Sequence, residues 1–314
     1  GAVEKGWEDI GIDYQLVNYC ERDKHAIKCY SLIHDEPEDK NLWDITKIDR
    51  GKFLDIDLIT HGSPCQDFST AGRQKGGKKG SGTRSSLLWE TIEIVRDVKP
   101  KYIVWENVKN VLSKKHKPVF ESYLKELEDM GYTNHIPTKG FLNAKDYGIP
   151  HSRERVFVVS ILGDESFEFP EPIKLEKDLL DFLDFREKDD ITNNFYKRYI
   201  EKNGYISLEG FVEYIDNLPI RRGIGTKVMG LYDFNEMDTI TTIKGVTGTL
   251  TCRNVQNYNK KFWYSKRLYK PSPRMCFRLM GFEDEDFNKI ENIGTDSQLW
   301  NRAGNSIVVN VAQA

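Results

Sequence analysis

The chain of 314 residues contains no run of 18 or more apolar residues, so no membrane-spanning helix is expected. It also has no surplus of positive charge. At a formal net charge of −3 it is not a basic nucleic-acid binder as a whole, and any contact with a polyanion must come from local patches. Cysteine is sparse: Cys20, Cys29, Cys65, Cys252 and Cys276 show no CxxC spacing, which argues against a zinc site and a disulfide framework. The six histidines lack metal-ligand spacing too, and no metal is expected. Neither an internal repeat nor a low-complexity tract is present, and the first residues carry no basic-then-apolar leader pattern. A reducing cytoplasm is the expected setting, where Cys65 would stay a free thiol.

Strand and helix signals alternate through the first half. Residues 15–20 read as a strand ending at Glu21, and 23–34 as a helix. Strands are expected over 57–60, 101–105 and 155–161, and helices over 86–98 and 118–130, the last with Pro118 in its first turn and Gly131 just beyond its end. This alternation predicts an α/β fold, a mostly parallel sheet covered on both faces. After Gly163 the pattern changes. An acidic stretch over 164–190 is broken by Pro170 and Pro172, and short β-rich runs between glycine clusters predict a small irregular β domain. Helical pattern returns over 273–280.

The chemistry-bearing residues sit at the ends of these strands. Gly62-Ser63-Pro64-Cys65-Gln66-Asp67-Phe68-Ser69 follows an apolar strand and puts a thiol at the mouth of the sheet, where ligands gather in such folds. A reactive thiolate needs an accessible, electropositive setting. Arg73, Lys75, Lys78, Lys79 and Arg84 follow Cys65 with Asp67 as the one acid between, interleaved with Gly72, Gly76, Gly77, Gly80 and Gly82. Such a loop can close over a polyanion. Taken alone, Cys65 is equally readable as an inert packing residue. Glu106, in Trp105-Glu106-Asn107-Val108, is expected at a strand end beside Cys65. Arg153 and Arg155 stand at i and i+2 in Gly148-Ile149-Pro150-His151-Ser152-Arg153-Glu154-Arg155 and are expected to point the same way, toward a phosphate or a base carbonyl oxygen. From 221 to 270, ten Lys and Arg face only Asp233, Glu236 and Asp238, with Tyr and Phe between them, a patch suited to phosphate contact and groove readout.

These segments, together with Gly304-Asn305-Ser306-Ile307-Val308-Val309 near the C-terminus, resemble in their order the motif set of the cytosine-5 DNA methyltransferases of bacterial or phage type. The resemblance covers most of 1–162 and 268–314. It implies a Rossmann-like S-adenosylmethionine-dependent methyltransferase sheet with a smaller, irregular β-rich target-recognition domain. Residues 1–165 would form the catalytic, cofactor-binding domain, 166–282 the recognition domain, and 283–314 a segment completing the catalytic domain. The implied reaction moves a methyl group from S-adenosylmethionine to C5 of a flipped-out cytosine in a short duplex DNA sequence.

By the same resemblance Cys65 adds to C6 as the nucleophile, which turns the ring into an enamine at C5. Glu106 would hold the N3 and amino edge. Arg153 and Arg155 would hold the flipped cytosine and its flanking phosphate. The cofactor would lie against Glu21, Arg22, Asp44, Ile45, Pro64, Leu87, Asn305 and Ser306. Glu21 would take the ribose and Asp44 the adenine amino group, with Arg22 where the family often has an aromatic residue. DNA would meet Gln66, Arg73, Lys78, Lys79, Arg84, Thr249, Leu250 and Arg253. The family begins with a strand and a Phe-x-Gly-x-Gly turn, whereas Gly1-Ala2-Val3-Glu4-Lys5-Gly6 is similar only to the tail of that turn and its helix. A first strand upstream of residue 1 is therefore expected, with a second polypeptide or a lost segment as alternatives. A monomer is expected, with a cognate restriction endonuclease as a partner in the same system. Two rival readings stay open: an RNA cytosine methyltransferase on the same scaffold, and a DNA-binding relative without catalysis.

Overall fold

A computed structural model describes residues 1–50, 55–64, 84–201, 207–219, 226–228, 239–243, 245–250 and 260–314. The first part of the chain runs α1 (Ala2–Ile10), α2 (Lys24–His34), β1 (Leu58–His61), α3 (Leu88–Val98), β2 (Tyr102–Val108), α4 (Lys117–Asp129), β3 (Tyr132–His135), β4 (Leu142–Asn143), β5 (His151–Ser152) and β6 (Glu154–Leu162). There follow α5 (Thr192–Phe195), α6 (Leu208–Asn217), β7 (Thr226–Val228), β8 (Thr239–Thr242), β9 (Thr247–Gly248), β10 (Phe262–Tyr264) and β11 (Arg267–Tyr269). The chain closes with α7 (Pro273–Arg278), α8 (Asp284–Ile290), α9 (Asp296–Asn305) and α10 (Val309–Gln313).

Local chemistry accounts for the helix ends. Asp23 caps α2 by accepting from the amides of His25 and Ala26. Pro118 lies in the first turn of α4, where its missing N–H leaves no orphan. Gly131, just beyond that helix, has φ 93°, a left-handed conformation that a side chain would oppose. Thr295 and Gln298 form a capping box at the start of α9.

The main sheet has the order β1-β2-β6-β3, with β4 also paired to β6. β1 and β2 are parallel, whereas β6 runs antiparallel to β2, β3 and β4. The expected mostly parallel sheet is thus corrected to a mixed one. Among the described residues no α-helix intervenes between β3 and β6, only the 3-10 turn Ala144–Tyr147, and antiparallel pairing needs no crossover helix. Coverage is uneven as well. On β2, Ile103, Trp105 and Asn107 are buried, and Tyr102, Val104, Glu106 and Val108 on the other face are half-buried. The buried face packs on α3 and α4 through Leu88, Ile92, Val95, Phe120, Tyr123 and Leu127. Trp105 lies 4.7 Å from the Tyr123 ring and 5.8 Å from that of Phe120.

The strand expected over 15–20 is represented by a single bridge, Tyr19 to Asn41. Val17 is 44% exposed, and burial of alternate side chains is what normally holds a strand in register. Among the described residues β1 pairs with β2 alone. The later region forms a second sheet of order β11-β10-β8-β7. It is less purely β than its glycine clusters suggest: α5 and α6 pack Phe195, Phe211 and Ile215 against Ile240, Trp263 and Leu268. A third core joins Ala2 and Cys29 to Leu250, Leu279, Met280, Leu299 and Val309. Both ends of the chain and the segment around Leu250 and Phe262 therefore share packed surface. None of the described helices is long and apolar enough to cross a membrane.

Candidate active site

The β1–β2 ladder pairs His61 with Trp105. The next residues along, Gly62 and Glu106, therefore lie beside each other at the mouth of the sheet. A Cβ built on Gly62 would sit 3.4 Å from Glu106 Oε2, so the chain approaches the carboxylate closely because glycine carries no side chain. Glu106 stands inside β2 and not at its end, because the strand continues to Val108. Its Oε1 meets Arg155 Nε at 2.9 Å, with each side chain about 15% exposed. Arg155 also donates to the carbonyl of Glu154 at 2.8 Å.

Just behind this pair, Asn107 holds the chain that leads into Pro64 and Cys65. Its Nδ2 donates to the Ser63 carbonyl at 3.1 Å and to Ser63 Oγ at 3.0 Å, while its Oδ1 accepts from the Val108 amide. Trp105 Nε1 donates to the same Ser63 Oγ at 3.3 Å. Asn107 is 2% exposed, so each of these bonds satisfies a group that would otherwise be buried unpaired. The sequence flagged Asn107 as part of a motif and gave no role to Ser63. Nothing in their spacing of 44 positions signals the contact.

His61, one residue before Gly62, bonds Tyr123 Oη through Nε2 at 2.9 Å. Desolvation pushes its pKa down to about 3, so the ring is neutral. Cys65, Gln66, Arg73, Lys78, Lys79 and Arg253 lie outside the described residues, and of Arg84 only the backbone turn Arg84–Leu87 is described.

Arg153 and Arg155 have different partners. Arg153 is 4% exposed. Its Nη1 donates to the Leu250 carbonyl at 3.1 Å, and its Nη2 to the carbonyls of Gly304 at 3.0 Å and Ser306 at 2.8 Å. The expectation that both guanidinium groups face one ligand is corrected accordingly. Arg153 turns its two terminal nitrogens to the backbone oxygens of Leu250, Gly304 and Ser306, and Arg155 turns to Glu106. Thr249 and Leu250 are brought to the same place, since Thr249 Oγ1 donates to the Ser152 carbonyl at 2.8 Å.

Four of the proposed cofactor residues come together on the loops around α2. Glu21 Oε1 accepts from the amides of Arg22 and Asp23 at 2.7 and 2.8 Å. Arg22 Nη1 lies 3.9 Å from Asp44 Oδ2. The Thr46 hydroxyl and amide hold the Asp44 carboxyl below the usual range, and Arg22 adds to this. Ile45 follows, half-buried, in the turn Ile45–Lys47. Asn41 joins the two loops and was missed by sequence reasoning. Its Oδ1 accepts from the amides of Glu21 and Trp43, and its Nδ2 donates to the Glu21 carbonyl at 3.0 Å. Two carboxylates beside an apolar side chain suit a ligand that offers hydroxyls and an amino group, as S-adenosylmethionine does. Pro64 and Leu87 are half-buried, Asn305 is exposed at the end of α9, and the Ser306 amide caps that helix.

Comparison with known proteins fits this chemistry. The family model for "C-5 cytosine-specific DNA methylase" matches residues 1–314. The chain is 39% identical over 277 residues to the type II methyltransferase M2.ScrFI of Lactococcus lactis subsp. cremoris, covering 88% of this chain and 69% of that protein. It is 31% identical over 322 residues to M.HhaI of Haemophilus parahaemolyticus, covering 100% and 89%. The crystal structure of the S. pombe Dnmt2 methyltransferase shares the fold with a TM-score of 0.71 at 20% identity, over 100% of this chain and 93% of that one. A match along the whole chain, with an acid and an arginine paired at the mouth of an α/β sheet, leads to one assignment. The chain belongs to the C-5 cytosine-specific DNA methylases and methylates cytosine at C5 in DNA, with S-adenosylmethionine as the methyl donor.

Proposed function

We propose that Gly62, Cys65 and Glu106 with Arg155 form the pocket for a cytosine flipped out of duplex DNA. The target carbon is inaccessible inside a stacked helix, so the base must leave the stack to react. Cys65 adds as thiolate to C6, the C5–C6 double bond shifts, and C5 becomes nucleophilic. S-adenosylmethionine, held by Glu21, Asp44 and Ile45 and closed in by Pro64, Leu87, Asn305 and Ser306, supplies an electrophilic methyl group when bound. After methylation the C5 proton leaves to water and the C6–S bond breaks, releasing Cys65. Glu106 accepts from the exocyclic amino group and Arg155 donates to the base carbonyl oxygen. The observation that carries this reading is the approach of Gly62 to Glu106 Oε2 with Arg155 on the other oxygen.

The catalytic part takes residues 1–165 and 283–314, and the recognition part takes 166–282. Gln66, Arg73, Lys78, Lys79, Arg84, Thr249, Leu250 and Arg253 face the DNA. A cytoplasmic monomer, with a cognate restriction endonuclease as partner, fits the type II relatives. Bisulfite sequencing of mixed-sequence duplex DNA, after incubation with the protein and S-adenosylmethionine, tests the reading. Cytosines protected within one short motif are expected. Cys65→Ala should lower turnover by on the order of 10⁴-fold or more while DNA binding persists. Turnover within tenfold of wild type would exclude Cys65 as the nucleophile.

A further inference from the structure

His151 and Arg153 lie on one short segment and hold the recognition region against the C-terminal helices. His151 is 0% exposed. Its Nε2 accepts from the Leu250 amide at 2.9 Å, so this nitrogen carries no proton. The other nitrogen, Nδ1, then carries it and donates to the Leu279 carbonyl at 3.1 Å. One neutral imidazole thereby bridges the recognition segment and the end of α7. Desolvation keeps the ring neutral, with Arg153, Arg155 and Lys260 adding to the effect of burial.

Arg153 completes the junction. Its guanidinium takes the Leu250 carbonyl on one side and the Gly304 and Ser306 carbonyls at the C-terminal end of α9 on the other. A cation there also opposes the negative end of the helix dipole. Between the two residues, β5 pairs with β9, aligning His151 with Thr247 and Ser152 with Gly248. The Thr247 amide donates to the Pro150 carbonyl at 2.9 Å. Two residues beyond Arg153 comes Arg155, the partner of Glu106. Five consecutive residues thus connect the recognition segment to the mouth of the sheet.

We propose that His151 and Arg153 are positioning residues that lock the Thr249–Leu250 segment in register with the Glu106–Arg155 pair, so that target recognition and pocket assembly are mechanically coupled. This rests on the reading of that pair as the base pocket. Arg153 acts through protein carbonyls and touches no phosphate.

The test uses the whole chain and a pool of mixed-sequence duplex DNA, methylated over a range of DNA and salt concentrations and read by bisulfite sequencing. His151→Ala should raise KM for DNA by about tenfold and admit sites outside the preferred motif. His151→Gln should return both to near wild type, because an amide donates at one end and accepts at the other. Arg153→Gln should show the same KM rise with the wild-type salt slope. Arg153→Lys should not rescue it, since an ammonium keeps the charge and loses the planar fork. The proposal is overturned if Arg153→Gln lowers the salt slope by about one and Arg153→Lys restores it, the signature of a phosphate contact. It is overturned equally if His151→Gln behaves as His151→Ala, or if neither position alters KM or site choice. Should His151→Ala not fold, the two Arg153 variants decide. Failure of the pocket reading shows separately, as turnover retained by Cys65→Ala.

Discussion

The mouth of the main sheet and the junction at Leu250 are positioned by different means. At the mouth, seven consecutive residues of β2 pair with β6, from Tyr102–Ile161 to Val108–Arg155. Glu106 takes its place from that ladder, and one face of the strand is buried against α3 and α4. At the junction the strands are two residues long, β5 against β9. There, side chains reaching buried carbonyls do the holding: His151, Arg153 and Thr249. Regular backbone pairing positions Glu106, and side-chain clamps position Thr249 and Leu250. A ladder tolerates side-chain change because its bonds are backbone bonds. A clamp depends on the identity of each clamping residue.

The comparison can be broken or sharpened at four places, in decreasing size of effect. Glu106→Gln removes the charge at the mouth and leaves the ladder intact, so turnover should fall by about 10²–10⁴-fold with melting temperature nearly unchanged. Steady-state kinetics with a thermal melt checks this. A large loss of stability instead would mean that Glu106 holds the ladder.

Acidification should act next, through the buried imidazoles. His61 is pushed down to about 3 and His151 well below 6.5, in both cases chiefly by desolvation. The unfolded chain therefore binds more protons than the folded one below pH 6.5. Stability that is complete above that value falls as pH falls through the window toward the folded pKa values. The loss is about 1.4 kcal/mol per pH unit for each ring. Urea melts at about pH 7, 6 and 5 read this slope. His151→Gln should lower it by the share of one ring, and an unchanged slope would show that His151 titrates normally.

Asn107→Ala leaves the buried Ser63 carbonyl without the Asn107 donor and should cost about 1–3 kcal/mol, seen as a lower urea midpoint. A cost near zero would mean that the ladder alone orders the segment at Ser63. Smallest is the exposed pair of Lys109 and Glu154, 3.0 Å apart with side chains 45% and 39% exposed. Lys109→Ala should change stability by less than about 1 kcal/mol. A larger loss in a chemical melt would show that rim charges matter to the ladder.

Much of the mouth was readable from residue order. Strands over 58–61, 102–108 and 154–162, and helices over 24–34, 88–98 and 117–129, fall within a few residues of their expected places. Their periodicity and their capping signals are local. The strand expected over 15–20 was not found, because an apolar run forms a strand only where a neighbour accepts its backbone bonds. α6 was missed, although Ser207 caps it by accepting from the Gly210 amide. In the site, Glu106 and Arg155 were identified from their motifs. The pairing between them, the hold of Asn107 on Ser63, and Asn41 joining the loops at Glu21 were not, since each joins residues 20 to 49 positions apart.

By itself the sequence determined the α/β class, the family and the kind of chemistry. Those depend on residue types at short spacings, where local backbone preference and a few reactive groups carry the signal. Only the tertiary structure decided that β6 runs antiparallel, that Glu106 sits within its strand, and that Arg153 and Arg155 part company. Strand direction and side-chain partners depend on groups brought together from distant positions. A buried guanidinium or imidazole settles wherever the packed fold leaves acceptors and donors to satisfy it.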